Sequence, residues 1–318
     1  MASHHSLQIA AEYESISSPC KNQAQLTSSL SNADRYIAKL RSSKSTLRSI
    51  SLAGNDITDE NIDAFATALL GNRDVTHLSM FYVRGGNTLR GSAFLAASAM
   101  SLPSLRTLSW SNIFEGGYAV KMLAKGIRSS KTFNRLLLMD SKLKYSDVAL
   151  LASALEENTS IETIGLEGCG VTDEGVLPMS KMLKKNQALR TLSLSENGIT
   201  DIGAEVLLAS IFDTDSFNSI WMSNHTITSF SRDGKGMKQF YFVSTVLKNK
   251  ITRILDINRS GRSQADTGRR KIALHMETNF ERSLEKGLDL KLIPRVLSWC
   301  GRTASFEVLR NMPELFAS

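Results

Sequence analysis

Side chains capable of covalent or metal chemistry are few in this sequence and poorly spaced for it. There are five histidines and three cysteines. His4 and His5 lie at the N-terminus, while His77, His225 and His275 are far apart. Cys20, Cys169 and Cys300 form no CxxC or Cys/His spacing. Neither a zinc set nor a disulfide framework is indicated. The stretch Asp233-Gly-Lys-Gly236 lacks the upstream Gly and the following Ser or Thr of a phosphate loop, and no G-x-S-x-G or H-E-x-x-H occurs. Arg84-Gly-Gly-Asn-Thr-Leu-Arg-Gly91 has the glycines for an anion-binding backbone nest but reads better as a surface loop. The expectation is a protein without catalytic residues, cofactor or metal. Its chemistry is then recognition, and its elements must display side chains to a partner.

Those elements show themselves as a repeat. Leu47-Arg-Ser-Ile50-Ser-Leu52-Ala-Gly-Asn55-Asp-Ile57 and Leu189-Arg-Thr-Leu192-Ser-Leu194-Ser-Glu-Asn197-Gly-Ile199 share the pattern LxxLxLxxNxI. Phe133 to Leu143 and Ile161 to Val171 repeat it, with Ser141 and Cys169 at the Asn position. The first apolar residues fall at 47, 75, 105, 133, 161, 189 and 217, in steps of 28 or 30. The alternating piece reads as a short half-buried strand. The Asn, Ser or Cys after it suits an inward turn whose backbone groups need partners. Helical spacing follows, as in Gly175, Met179, Met182 and Leu183 or Gly203, Val206, Leu207 and Ile211. A leading helix is expected from Tyr36, Ile37 and Leu40, and a further strand near Thr252.

These units resemble leucine-rich repeats of the ribonuclease-inhibitor type over residues 33–260. The resemblance implies an α/β solenoid, a horseshoe with parallel strands on the concave face and helices on the convex face. A stack of this kind needs a closing element, because its last unit exposes an apolar edge. Residues 261–318 are expected to supply it as a Gly/Ser/Arg linker, Gly261 to Gly268, followed by basic helices. The tail, from Leu292 to Gly301 and Val308 to Leu315, resembles that of microalgal (diatom-type) leucine-rich-repeat proteins, which implies no activity. Residues 1–32 read as a polar, disordered N-terminus with no secretory signal pattern. With unpaired cysteines this points to a cytoplasmic or nuclear protein.

The chain has 318 residues, 42% of them hydrophobic, and a net charge of +7. No apolar run approaches the length of a membrane span. The charge is uneven, since residues 248–310 carry 14 basic against 7 acidic side chains. Such a segment suits a solvated helical face or an acidic surface, RNA included, with Arg269, Arg270 and Lys271 as the contact residues.

Partner-binding positions follow from the outward phase of each strand. Two richer spots stand out from a small, hydroxylated face: Phe81, Tyr82, Leu137 and Met139, and then Trp221 with Glu196 and Asn224. Glu167 adds a carboxylate between them. Aromatic residues amid small polar ones have the composition of an interaction hot spot, and they equally suit gap-filling at irregular units. The insertion Ser231 to Gly236 is expected to form a loop. The function expected is a non-enzymatic scaffold or adaptor binding a protein. Regulation of a small GTPase, as in Ran GTPase-activating proteins with related repeats, is the alternative, although their tail is acidic and this one basic.

Overall fold

In the computed structural model, residues 32–42, 47–53, 59–81, 89–111, 117–232, 237 and 239–285 are described. Helix α1 (Asn32–Arg41) leads into β1 (Ser49–Ala53), α2 (Asp59–Leu69), β2 (His77–Phe81) and α3 (Leu89–Met100). Then come β3 (Thr107–Ser111), α4 (Tyr118–Ser129), β4 (Arg135–Met139) and α5 (Tyr145–Leu155). The array continues with β5 (Thr163–Gly165), α6 (Asp173–Lys185), β6 (Thr191–Ser193) and α7 (Asp201–Ile211). Three helices close it: α8 (Phe217–Met222), α9 (Thr245–Ser260) and α10 (Gln264–Glu285).

The six strands form one parallel sheet in sequence order. Its register follows the repeat: Ile50 pairs with Leu78, Leu78 with Leu108, Leu108 with Leu136, Leu136 with Ile164, and Ile164 with Leu192. All six are fully buried, as are Leu52, Met80, Trp110, Leu138, Leu166 and Leu194 of the next inward row. Each such side chain contributes about 1.5–3 kcal/mol by leaving water, and only a neighbouring unit can bury it. Tyr36, Ile37 and Leu40 of α1 close the first edge.

Polar ladders hold the two edges of the stack. In front of β5, β6 and the start of unit seven an asparagine bridges two units. Asn186 Nδ2 donates to Leu155 O (2.6 Å) and Asn158 O (2.9 Å), while its Oδ1 accepts from Ala188 N (2.9 Å) and Leu189 N (2.7 Å). Asn224 repeats this arrangement in full, Asn158 Nδ2 donates to Ile127 O while its Oδ1 accepts from Ser160 N and Ile161 N, Asn258 Nδ2 donates to Asn224 O and Ile227 O, and Asn72 accepts from Asp74 N and Val75 N. Behind the strand, Asn197 Nδ2 donates to Leu166 O at 2.7 Å, and the Cys169 thiol to Leu138 O. At the helix starts, Asp173 accepts from Thr200 N, Thr200 Oγ1 and Gly203 N, and Asp201 from Ser244 N. Gly203 has no room for a side chain, because a Cβ there would meet Asp173 Oδ1.

The seventh unit departs from the sequence expectation. Phe217 begins a helix, not a strand, because Phe217, Ile220 and Trp221 also fit a three- and four-residue step, and Ser216 caps it by accepting from Ser219 N. The true seventh unit starts at Ile227, 38 residues after Leu189. Thr191 pairs with Ser229, and Leu192 N and Leu194 N donate to Ser229 O and Phe230 O. The segment around Thr252, expected as a strand, is helix α9, with Leu247, Ile251, Ile254 and Leu255 on its buried face. Its last turn carries Asn258, so α9 is the helical half of unit seven. The expected linker shrinks to three residues, since α10 begins at Gln264.

Asn186→Ala is expected to destabilise the protein by about 3 kcal/mol, because it strands two carbonyls and two N–H groups between units. Exposed Asn134→Ala should stay within about 0.5 kcal/mol of wild type. Urea unfolding followed by circular dichroism measures both.

Candidate partner-binding surface

The outward positions of the sheet divide into an open part and a covered part. On β1 to β3, Ser51 and His77 are exposed, and Ser49, Ser79 and Thr107 are half-buried. Thr76 Oγ1 and His77 Nδ1 lie 2.8 Å apart, and burial together with nearby Arg106 lowers the His77 pKa, favouring the neutral ring. Phe81 ends β2; Tyr82 lies outside the described residues.

From Ser109 and Ser111 of β3 onward the face is buried toward the strand ends, while Arg135, Thr163 and Thr191 at the strand starts stay half-buried. Leu137 and Met139, expected as exposed contacts, are only 1% and 6% exposed. Between corresponding backbone contacts, unit seven is too long. Asp140 N donates to Glu167 O, Gly168 N to Ser195 O and Glu196 N to Gln239 O, so Gln239 takes the place of Glu167 and Ser195. Of the extra residues between Phe230 and Gln239, Arg232 lies over the sheet. Arg232 Nη1 reaches Met139 Sδ at 3.0 Å, and its Nε lies 3.9 Å from Glu167 Oε1. Ser231 and Met237 are buried there, whereas residues 233–236 and 238 lie outside the described part. The insertion expected as a loop is therefore, in its described residues, a cover.

Three carboxylates gather near it. Asp140 and Glu196 occupy the same place in their units and share left-handed backbone, with φ of 50° and 60°. Burial, with Glu196 nearby, raises the Asp140 pKa. Burial also raises that of Glu167, against the opposing pull of the Ser193 hydroxyl and Arg232. Glu167 and Glu196 are thus half-buried members of a charge cluster rather than freely displayed contacts. Burial pushes the Cys169 thiol well above its ordinary pKa, which leaves it inert. Among the described residues no His, Cys, Asp and Glu group is suited to hold a metal ion.

Two more expected contact residues belong to the stack. Asn224 is fully buried; its Nδ2 donates to Leu183 O and Asn186 O, each at 2.8 Å. Trp221 sits on α8 and packs against α10, where a Cβ on Gly268 would meet its ring at 2.8 Å. The seventh strand on which both were placed does not exist, so neither faces a partner from the sheet.

Nor is Lys271 a surface contact. It is completely buried, and its Nζ donates to Ile211 O (2.7 Å), Asn224 O (2.8 Å) and His225 Nδ1 (3.1 Å). His225 Nε2 faces Trp221 O at 2.7 Å, so the neutral ring donates there and accepts from the lysine. Ile211 ends α7, where the helix dipole favours a cation. Burial still pulls the Lys271 pKa down to about 7. Burial and Lys271 pull His225 down to about 4. Arg269 is exposed, and Arg270 Nη1 donates to Ser260 Oγ at 2.9 Å. No pattern in the sequence separated Lys271 from its two arginine neighbours.

A family model described as leucine-rich repeat matches residues 43–66, 157–180 and 185–208. The chain is a leucine-rich-repeat protein. It is 29% identical over 141 residues to human NACHT, LRR and PYD domains-containing protein 5. That match takes in 44% of this chain but only 12% of the relative's length. Among solved structures, the tropomodulin C-terminal domain of Caenorhabditis elegans is similar with a TM-score of 0.37 and 20% identity, covering 49% of this chain and 93% of its own. The actin-binding site 2 of leiomodin-1 gives a TM-score of 0.29 and 13% identity, with 57% and 89% covered. Among the described residues of this leucine-rich-repeat protein, no helix is long and apolar enough to cross a membrane.

The buried lysine carries a pH prediction. Its pKa of about 7 lies below the ordinary lysine value of 10.5, so between those limits the native state binds fewer protons than the unfolded chain. Stability should therefore rise with pH across that window. The His225 shift, from 6.5 to about 4, works the same way at acid pH, and stability should fall as pH drops between those values. Lys271→Met is expected to flatten the upper window. Urea midpoints of wild type and variant from pH 6 to 10 test this.

Proposed function

We propose that the protein is a non-enzymatic scaffold that binds a protein partner on the strand face over β1 to β3. The observation that carries this reading is the division of that face. Arg232 of unit seven reaches Met139 of β4 and Glu167 after β5, whereas Ser49, Ser51, His77, Ser79 and Thr107 reach the surface on the first three strands, Ser109 and Ser111 of β3 being buried. Small hydroxylated side chains on a rigid sheet let a partner's backbone approach and offer hydrogen bonds without ordering long side chains. Leucine-rich-repeat proteins commonly act as binding scaffolds. The 28-residue step supports the ribonuclease-inhibitor-like subtype, and buried free Cys169 supports a reducing, cytoplasmic setting.

The test is affinity capture from source-cell lysate with wild type, Ser79→Trp and Ile202→Trp. Ile202 is an exposed residue on α7, away from the sheet. A bound protein retained by Ile202→Trp and lost with Ser79→Trp, at unchanged melting temperature, is the expected result. Retention by Ser79→Trp overturns the reading.

A further inference from the structure

Three Asn-x-Ser/Thr sequons occur in the sequence: Asn158-Thr-Ser160, Asn224-His-Thr226 and Asn258-Arg-Ser260. In a protein that enters the secretory pathway such a triplet accepts an N-linked glycan and belongs on a surface loop. Here all three fall on asparagines that tie neighbouring units together. The three residues are buried, with exposures of 8%, 0% and 7%. Asn158 Nδ2 donates to Ile127 O at 2.7 Å, and Asn224 Nδ2 to Leu183 O and Asn186 O, each at 2.8 Å. Asn258 Nδ2 donates to Ile227 O at 2.6 Å and to Asn224 O at 3.3 Å.

At two of these sites the triplet has a structural origin. Asn158 Oδ1 accepts from Ser160 N and Ile161 N, and Asn224 Oδ1 from Thr226 N and Ile227 N. Each closes an Asx-type turn, and the hydroxyl two residues on reaches the same oxygen, Ser160 Oγ at 3.3 Å and Thr226 Oγ1 at 3.2 Å. Ser160 Oγ also lies 3.1 Å from Ser130 O of the previous unit. At the third site Ser260 Oγ donates to Asp256 O within α9. The needs of the ladder therefore account for the first two sequons without any glycan.

Glycan transfer forms a bond from Asn Nδ2 to the anomeric carbon of a lipid-diphosphate-linked oligosaccharide. That carbon's bond to the diphosphate oxygen breaks, and one amide proton is released. At Asn224 and Asn258 both amide protons are already given to carbonyls between units, so the loss of one leaves a buried acceptor without its donor. The sugar itself has no place between stacked units. Transfer acts on the chain before it folds, so burial in the finished stack gives no protection. We infer that a glycan on Asn158, Asn224 or Asn258 is incompatible with the folded stack, and that this chain reaches its native state only where the N-glycosylating machinery does not meet it. This inference is independent of the partner bound on the strand face.

The test sends the whole chain into the endoplasmic reticulum of cultured mammalian cells behind an added secretory signal. Wild type is compared with the triple variant Ser160→Ala, Thr226→Ala, Ser260→Ala, which keeps all three asparagines and removes all three sequons. Wild type is expected to carry glycosidase-sensitive sugar and to yield at least tenfold less secreted, trypsin-resistant protein than the variant. Blocking synthesis of the lipid-linked donor with tunicamycin should restore wild type to a similar degree, a comparison that needs no substitution. Recovery by either route supports the inference, and recovery by neither overturns it, because the glycan is then not the cause of the loss. Folded wild type secreted with sugar on any of the three asparagines also overturns it. So does folded wild type secreted with all three sequons unmodified.

Discussion

The structure depends on how backbone groups trapped between stacked units find partners. Each turn from helix to strand lies against its neighbour, where water cannot reach, and an unpaired N–H or carbonyl there is costly. One asparagine amide meets four such needs at once, with two donors facing the previous unit and two acceptor directions facing its own turn, as at Asn186. Asn224 makes the same bridge, and Asn158 and Asn258 reach back to Ile127 O and Ile227 O through Nδ2, so the amides, together with the inward row from Ile50 to Leu192, hold the spacing of the units.

Because both edges are pinned, extra residues are accommodated only between pinned points. The chain between α7 and Asn224 holds one addition, helix α8, and the chain between Phe230 and Gln239 holds the other. Their directions differ in consequence. The first turns away from the sheet and, through Trp221, packs against α10. At the second, Arg232 lies on the sheet and occupies ground beside Met139 and Glu167 that the strands would otherwise present to a partner. The surface left for recognition is thus defined by where the array is irregular.

The closing helix uses a different device from the repeats. In place of an amide, α10 sends a buried ammonium to the C-terminal end of α7 and to the asparagine rung at Asn224. Three acceptors satisfy its three protons, one of them a neutral histidine whose other nitrogen is engaged by Trp221 O. No carboxylate is among the Nζ partners, so hydrogen bonds and the helix dipole compensate the charge only in part, and its pKa falls.

What the sequence determined by itself is what repeats. Period 28 with LxxLxL named the strands, the inward rows and the turn positions of Ser141, Cys169 and Asn197, because each unit meets the same neighbour and so selects the same residue types. The ladder in front of the strands was legible at Asn72, Asn158 and Asn186 for a reader who carried the alignment three residues upstream of the first apolar residue, but not at Asn224, which precedes Ile227 rather than Phe217. Once the repeat broke, local pattern no longer decided. Phe217 to Met222 satisfies strand and helix spacing alike, and the coincidence of a further 28-residue step favoured the wrong one. Tertiary structure alone decided that Leu137 and Met139 lie under Arg232, that Trp221 and Asn224 belong to the stack, and that Lys271 is buried while Arg269 is exposed. Each of those outcomes depends on a contact between residues 38 or more positions apart, which no local periodicity encodes.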